Sequence, residues 1–277
     1  MKHVLKNVLR DWLPPVITRR LSRTHSQSTE PLRYQPGGWD DARFPGWNVQ
    51  SVLDHYMAVW PEMMTVSGAA APFGRMLAAD SVDANLLALT YAYAVSLAAQ
   101  GRSRLSMLDW GGAIGYYRFI AEAAVPGVIV DYACKDVPLL AEAGQRLSPS
   151  ARFFSDDSFA AERFDLVIAS GSFQYTRDWP EEMKRLTSCT SCYLLITRLP
   201  THDDAADFFY SQRAYGSAWL SWSINRSNLC RHAASYGLEL VREFVVAAED
   251  TEIAHAPAPS RLRGFLFHRA TNCCTER

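Results

Sequence analysis

The chain has 277 residues, of which 48% are hydrophobic and 21% are charged. This length and composition allow one sizeable hydrophobic core, alone or with a small accessory region. The formal net charge is -1, so the chain has no overall positive field to attract nucleic acid, and no nucleic-acid partner is expected.

The first residues form one short amphipathic pattern. Within residues 1–13, apolar residues recur at helical spacing from Val4 to Leu13, and the Pro14-Pro15 pair ends the pattern. We expect this helix to pack on the protein or on a partner, and the alternative is contact with an anionic membrane surface. Residues 22–35 are polar and predict a linker.

Residues 36–101 are predicted to form a helical cap that leads into the core. The stretch 36–74 is rich in Trp, Pro and Gly and contains one helical pattern, from Val52 to Trp60. The nearly all-apolar stretch from Asn85 to Ala99 predicts a helix that is buried on most of its surface and is ended by Gly101.

Short apolar strands alternate with helices in the next part of the chain. Such alternation indicates right-handed crossovers and a parallel sheet that is covered on both faces. The predicted strands are Leu105–Leu108, Val128–Tyr132, Arg152–Phe154, Phe164–Ala169 and Tyr193–Thr197, and the predicted helices are Tyr116–Ala124, Val137–Leu147 and Trp179–Leu186.

The end of the chain predicts an antiparallel hairpin. A helix over Arg226–Tyr236 is followed by strands at Leu238–Ala247 and Arg263–His268, with no convincing helix between the two strands. The expected fold class is α/β, a mainly parallel Rossmann-like sheet with a C-terminal antiparallel hairpin, helices on both faces and an N-terminal helical cap. The expected domain boundaries are 1–35 for the N-terminal helix and linker, 36–101 for the cap, 102–270 for the core domain and 271–277 for a disordered tail.

The strongest local motif follows the first core strand. Asp109 ends that strand, and the turn Gly111-Gly112-Ala113-Ile114-Gly115 opens the next helix. In an open α/β sheet, ligands bind at such a turn. Gly111 and Gly112 would let the backbone approach a ligand, and Gly115 would let the helix pack tightly on the sheet. Asp109 would repel a dinucleotide pyrophosphate and suits a cationic ligand such as S-adenosyl-L-methionine, which carries an ammonium and a sulfonium group.

Further acids and small residues follow the next strands. Asp136 lies 21 positions after Gly115, near the spacing at which an acid meets ribose hydroxyls in such folds, although it could instead cap a helix. Asp156 and Asp157 could meet an adenine amino group, or could cap or turn the chain. Ser170-Gly171 follows the fourth strand and would line the floor where cofactor and acceptor meet.

These motifs resemble those of class I S-adenosylmethionine-dependent methyltransferases. The family pattern of an acid followed by three alternating glycines appears over Asp109–Gly115, with Ala113 in place of the middle glycine. More narrowly, LDWGGAIGYY, SGSFQY, ITRLPT and the late RGFLF are similar to a family of bacterial methyltransferases associated with surface-polysaccharide gene clusters, over roughly residues 36–269.

The resemblance implies S-adenosyl-L-methionine as the cofactor. Asp109, Gly111 and Gly115 would hold its methionine part, Asp136 its ribose, and Asp156 or Asp157 its adenine. It also implies a small-molecule or glycan-type acceptor in polysaccharide biosynthesis, methylated at oxygen. The rival hypotheses are a non-catalytic cofactor-binding or scaffold module, and an NAD(P)-dependent oxidoreductase, which lacks support because the G-x-G-x-x-G spacing is missing.

Three residues are candidates for the acceptor chemistry. His202 is the first choice for a general base that activates a hydroxyl, and the alternative is a solvated surface residue. Arg198 could hold a phosphate or carboxylate of the acceptor, or could pair with a neighbouring acid such as Asp203. Tyr175 is a further candidate. Methyl transfer from a sulfonium depends mainly on in-line placement of the nucleophile.

The spacing of the cysteines and the length of the apolar stretches predict the cellular location of the protein. Six cysteines lack the regular spacing of a disulfide framework, so we expect reduced cysteines and a cytoplasmic protein, with membrane association limited to residues 1–13. No apolar stretch reaches the roughly 18 residues of a membrane-spanning helix. Cys189 and Cys192, followed by Cys230 and His232, fit no common zinc pattern, and no metal site is predicted.

Overall fold

The computed structural model describes residues 31–67, 82–247 and 250–269. The predicted helix over residues 1–13 and the predicted tail at 271–277 lie outside the described residues. The helices are α1 (Gln50–Ser67), α2 (Val82–Ala99), α3 (Tyr117–Ala124), α4 (Pro138–Leu147), α5 (Trp179–Cys189) and α6 (Arg226–Ser235). The strands are β1 (Arg33–Tyr34), β2 (Arg104–Trp110), β3 (Ile129–Lys135), β4 (Arg152–Phe154), β5 (Phe164–Ser170), β6 (Thr190–His202), β7 (Phe208–Ala214), β8 (Ser217–Asn225), β9 (Leu238–Val245) and β10 (Arg261–Arg269).

The central sheet has the order β4-β3-β2-β5-β6-β10-β9. The strands from β4 to β6 are parallel, and β10 lies antiparallel between β6 and β9. The prediction of a mainly parallel sheet with a C-terminal antiparallel hairpin is therefore confirmed.

The two faces of this sheet are covered by different helices, because side chains alternate between the faces along each strand. On one face, Met107 and Leu166 belong to a buried cluster that includes residues of α2 and α3. On the other face, the next residues in sequence, Leu108 and Val167, belong to a cluster that includes residues of α5 and α6. The strands are apolar on both faces, as the sequence pattern indicates for a buried parallel sheet.

A second, smaller sheet was not predicted. It consists of β1, β7 and β8 paired antiparallel in that order, and it joins the central sheet through β6. The strand predicted at Tyr193–Thr197 is part of the longer β6, whose last residues, Thr201 and His202, pair with Ile224 and Asn225 of β8. We call this unit of β1, β7 and β8 the cap sheet.

The helices before the core cover the glycine turn and one face of the sheet. Val52 and Leu53 of α1 are buried in one cluster with Ala113 and Ile114. Over residues 86–99, α2 is buried on most of its surface, as expected, although Leu89 is 51% exposed and Tyr93 is 38% exposed.

The remaining chemical expectations concern membranes, metals and cysteines. Within the described residues, no helix is long and apolar enough to cross a membrane, and no cluster of His, Cys, Asp and Glu is arranged to hold a metal. Cys134, Cys189 and Cys230 are free thiols, whereas Cys192 is disulfide-bonded. The expectation that all cysteines are reduced was therefore wrong for Cys192.

Candidate functional site

The glycine turn lies at the point where the strand order of the sheet reverses. The chain passes from β2 to β3 on one side and then returns to place β5 on the other side of β2. The two crossovers diverge here, and open α/β sheets bind ligands in the crevice at such a point. We use the word crevice for this position, which has the turn 111–115 at the end of β2 and Ser170, Gly171 and Ser172 at the end of β5.

Backbone and side-chain contacts fix the turn in place. The amide of Gly111 donates a 2.7 Å hydrogen bond to the carbonyl of Lys135, and the hydroxyl of Ser172 donates one of 2.7 Å to the carbonyl of Trp110. Gly111 has φ +74°, and a Cβ atom there would lie 2.2 Å from the Cβ of Ser172. Glycine is therefore required at 111 by the backbone conformation and by the close approach of Ser172.

The other turn glycines are also explained by contacts inside the protein. A Cβ atom at Gly112 would lie 2.4 Å from a carboxylate oxygen of Asp109, and one at Gly115 would lie 2.6 Å from the ring of Phe153. The tight packing expected of Gly115 is thus present. Direct contact of Gly111, Gly112, Ala113 or Gly115 with a ligand stays a prediction.

Asp109 is fully buried beneath this turn. The hydroxyl of Tyr132 donates a 2.6 Å hydrogen bond to Oδ2 of Asp109, while Oδ1 has no hydrogen-bond partner in the described part of the chain. Burial removes water from the carboxylate and raises the pKa of Asp109 to about 7, against the lowering effect of the Tyr132 hydrogen bond. The charge of Asp109 therefore changes near neutral pH.

Asp136 is a second buried acid beneath the turn. Its Oδ2 accepts a 2.7 Å hydrogen bond from the amide of Ala113, and its Oδ1 accepts one of 2.7 Å from the amide of Val137. Burial raises the pKa of Asp136, and these two backbone hydrogen bonds oppose the rise. Asp136 thus holds Ala113 at a left-handed φ of +53°. Its contact with a ribose stays a prediction.

Asp156 and Asp157 lie at the surface after β4. Asp156 caps the short 3-10 helix Asp157–Ala161, with Oδ1 accepting a 3.0 Å hydrogen bond from the amide of Ser158. Asp157 forms a 2.9 Å ion pair with Arg185. The capping alternative is therefore observed for Asp156, and the adenine role stays a prediction for both residues.

Arg198 reaches from the end of β6 to the far side of the crevice. Its Nη2 donates a 2.5 Å hydrogen bond to the carbonyl of Ser170, and a Cβ atom at Gly171 would lie 2.7 Å from the guanidinium carbon. Gly171, at φ +68°, leaves the space that the guanidinium fills. The suggested pairing of Arg198 with Asp203 does not form, because Asp203 binds Arg263 at 2.7 Å.

Three tyrosines around Arg198 were missed in the sequence, namely Tyr117, Tyr116 and Tyr56. Their phenols, and that of the predicted Tyr175, interact electrostatically with its guanidinium. Tyr117 also approaches Ser170, with 3.5 Å between the two hydroxyl oxygens. The Tyr116-Tyr117 pair directly after Gly115 was a usable signal, whereas the approach of Tyr56 from α1 depends on the tertiary fold.

Tyr175 connects the crevice to the cap sheet. Its ring lies 5.0 Å from the ring of Trp47 and 6.0 Å from the ring of Trp219, measured between centroids. Burial raises the pKa of Tyr175, and contacts with Gln174 and Arg198 oppose the rise. Tyr175 is therefore protonated at neutral pH and can donate a hydrogen bond to a ligand, but it is a poor general base.

His202 is buried away from the crevice, at the junction of the two sheets. Its Nε2 lies 3.1 Å from the carbonyl oxygen of Ala205 and 3.2 Å from that of Ala206. Carbonyls only accept, so Nε2 carries the proton and Nδ1 accepts a 2.9 Å hydrogen bond from the hydroxyl of Ser223. Both ring nitrogens therefore serve the fold, and this geometry does not favour His202 as the base.

The sequence matches no family model and no curated protein. Among solved structures, an N1-methyltransferase of 1,6-didemethyltoxoflavin from Burkholderia thailandensis is 12% identical, covers 90% of this chain and 99% of its own, and has a TM-score of 0.49. A sugar N-methyltransferase from a Streptoalloteichus species is 13% identical, with the same coverages of 90% and 99% and a TM-score of 0.49. An S-adenosylmethionine-dependent methyltransferase from Clostridium acetobutylicum is 10% identical, covers 71% of this chain and 95% of its own, and has a TM-score of 0.46.

Proposed function

We propose that this chain is an S-adenosyl-L-methionine-dependent methyltransferase. The observation that carries the proposal is the pair of buried carboxylates, Asp109 and Asp136, directly beneath the glycine turn at the reversal point of the sheet. A ligand that enters the crevice meets this turn first.

The charge beneath the turn selects the class of ligand. Two carboxylates in a medium of low dielectric constant attract a cation and repel a pyrophosphate more strongly than they would in water. S-adenosyl-L-methionine carries an ammonium and a sulfonium group, whereas NAD and NADP carry phosphates at this position of the fold. Dinucleotide chemistry is therefore disfavoured.

The residues that would hold the cofactor follow from this arrangement. Asp109 and Asp136 supply negative charge, the turn 111–115 supplies one wall, and Ser170-Gly171 supplies the other wall. Asp156 and Asp157 remain our candidates for the adenine. When bound, the cofactor supplies an electrophilic methyl group, and the chain has to bring the acceptor atom into line with it.

We propose a hydroxyl of a small-molecule or glycan-type acceptor as the methylated group. The aromatic rings of Trp47 and Tyr175 pack with that of Trp219 in the cap sheet, and together they suit a ring-shaped acceptor. Tyr175 and Arg198 would orient this acceptor. The surface-polysaccharide context, the cytoplasmic location and membrane contact through residues 1–13 rest on the sequence alone and are kept as proposals.

Calorimetric titration tests the cofactor class. We expect wild-type protein to bind S-adenosylmethionine and S-adenosylhomocysteine, with no measurable binding of NAD or NADP. Asp109→Asn removes a charge with little change in shape and should weaken binding about tenfold. Asp131→Asn is the matched control, because Asp131 is 41% exposed at the opposite end of the sheet.

The pH dependence of ligand affinity is a second test of the role of Asp109. Since the pKa of Asp109 is about 7, its carboxylate is mostly neutral at pH 6 and mostly ionised at pH 8. Affinity for S-adenosylhomocysteine should therefore rise about tenfold from pH 6 to pH 8 in wild type, and much less in Asp109→Asn. Tighter binding of a nicotinamide dinucleotide, or no binding of either methionine-derived ligand, would refute the proposed function.

A further inference from the structure

Strand β9 forms one edge of the central sheet. Within the described residues it pairs with β10 alone, so the N–H and C=O groups on its other side have no strand partner. The four consecutive residues Glu239, Leu240, Val241 and Arg242 are all exposed. An exposed edge of this kind is a template for pairing with another strand.

The surface around this edge is apolar. Leu240 and Val241 of β9 are 39% and 46% exposed, and Leu89 of α2 is 51% exposed. Tyr93, one helical turn after Leu89, lies beside β9, because its ring centroid is 5.3 Å from the guanidinium carbon of Arg242. Of the seven large hydrophobic residues that are exposed in the described part of the chain, five belong to α2 and β9. Such a concentration of exposed apolar residues marks an interaction surface.

A β-bulge in β9 brings two opposite charges onto one face of the sheet. Glu239 pairs with His268 of β10, and Arg242 pairs with Leu266, so Val241 is an extra residue on the β9 side. His268 and Leu266 are two positions apart in one strand and lie on the same face. Their partners Glu239 and Arg242 therefore also share a face, although residues three positions apart in a regular strand lie on opposite faces.

The exposed segment of β9 is complementary to itself in antiparallel orientation. When Glu239 of one copy lies opposite Arg242 of another copy, each glutamate meets an arginine, and Leu240 lies opposite Val241 between the two ion pairs. Opposite charges and apolar pairs directly across two strands stabilise antiparallel pairing. A shift by one residue would place Glu239 opposite Glu243, so the charges select one register. Charges that would repel other strands at this edge therefore attract an identical one.

We propose that β9 pairs with β9 of a second copy of this chain, in a two-fold symmetric dimer whose central sheet continues from one copy into the other. The same surface is used by both copies, as in most homodimers. The proposal goes beyond the methyltransferase function and does not depend on it. Strands β6 and β10 separate β9 from the strands of the crevice, so each copy keeps its own crevice.

Sedimentation velocity of the full chain, from about 1 to 200 μM, measures the association. We expect a species of twice the mass of the chain, whose fraction rises with concentration. Glu239→Arg alone, or Arg242→Glu alone, places two like-charged pairs across the interface and should weaken dimerisation roughly 10- to 100-fold. Glu142→Arg is the matched control, because it makes the same change of charge at an exposed position of α4 and should dimerise as wild type does.

A mixture of the two single variants tests the register. A copy with Glu239→Arg and a copy with Arg242→Glu again bring unlike charges together at both ends, so the equimolar mixture should form a heterodimer although neither variant dimerises well alone. The double variant with both changes should dimerise as wild type does, which also shows that the substitutions leave the fold intact. The proposal is overturned if wild type stays monomeric over the whole range or if either charge reversal leaves its dimerisation unchanged. It is also overturned if neither the mixture nor the double variant recovers association, or if Glu142→Arg loses it equally.

Discussion

Ligand affinity should depend on pH through Asp109, because this acid is enclosed by protein. Its carboxylate is stabilised by one hydrogen bond from Tyr132, and burial opposes its ionisation. Enclosed acids of this kind are frequent at functional sites, since the charge that destabilises the empty protein is the charge that a cationic ligand needs. The stability of the empty protein therefore favours the neutral form of Asp109, whereas binding of a cation favours the ionised form.

Asp109→Asn should change the pH dependence of stability. The folded-state pKa of about 7 lies above the ordinary value of 3.8, so the native state holds its proton longer than the unfolded chain and loses stability as pH rises toward 7. This loss should amount to about 3 kcal/mol between pH 5 and pH 8 in wild type, and should be absent from Asp109→Asn. Urea unfolding at both pH values measures it, with Asp131→Asn as the control. An equal pH dependence in wild type and Asp109→Asn would contradict the burial argument.

Ala113→Gly should be close to neutral. The left-handed φ of +53° costs an alanine about 1–2 kcal/mol, which offsets the loss of one buried methyl group. The matched control is Ala121→Gly in α3, a fully buried helical position that should lose about 2 kcal/mol. Thermal unfolding of the two variants checks this. Comparable losses in both would mean that Ala113 is not strained.

The residues differ in how far the sequence could reveal them. Asp109 and the turn glycines are adjacent in sequence, so their clustering was readable. The orientation of Arg198 was not, because it depends on a bulge formed with Gly264, which lies far along the chain. The fixed hydrogen bonds of His202 were equally hidden, since its partner Ser223 belongs to a strand that the sequence did not predict.

At the scale of elements, the pairing of β10 with β6 contains a β-bulge, in which Gly264 faces Thr197 and Arg198. A Cβ atom at Gly264 would lie 2.9 Å from Oγ1 of Thr197, inside the bulge, so this strand position tolerates no side chain without displacement of its neighbour. The bulge thus couples the antiparallel hairpin to the crevice.

Gly264→Ala should therefore destabilise the protein by about 1–3 kcal/mol through overpacking. Adding Thr197→Ala should recover much of the loss, because it removes the hydroxyl that the new Cβ would meet. The control is Gly37→Ala, where a Cβ would meet nothing within 4 Å. Chemical denaturation of the single and double variants measures the coupling, and additive losses in the double variant would argue against this contact.

Strongly periodic core elements were predicted, and the cap sheet was not. Helix α4 lies within a residue of its predicted position because its apolar residues follow helical spacing. In β7 and β8, aromatic and polar residues occupy both faces, so alternation is weak. Their pairing also needs β1, which is distant in sequence.

At the scale of the whole molecule, the two sheets share β6 and should unfold together. The amino-terminal segment binds the cap sheet through the carbonyl of Gly46, which accepts a 2.6 Å hydrogen bond from Ser217, and through the Trp47–Trp219 contact at 4.0 Å. These contacts join distant parts of the chain, which favours one cooperative transition.

Urea unfolding followed by far-UV circular dichroism and by tryptophan fluorescence should give coincident transitions. Trp47→Ala should cost about 2–4 kcal/mol and move both transitions equally, since the cap sheet is joined to the central sheet through the pairing of β8 with β6. Trp47→Phe, which keeps an aromatic ring, is the control and should cost less. A fluorescence transition at lower urea than the circular dichroism transition would show that the cap sheet unfolds on its own.

The route of the chain into and out of the cap sheet indicates where proteins of this fold can change in length during evolution. The β7–β8 hairpin leaves and rejoins the central sheet at neighbouring positions, because Thr201 and His202 pair with Ile224 and Asn225. A segment whose ends are already held together can change in length at little added cost of loop closure. Insertions, deletions and exchanged hairpins are therefore expected to accumulate between these ends during evolution, while the strands that carry the glycine turn keep their course.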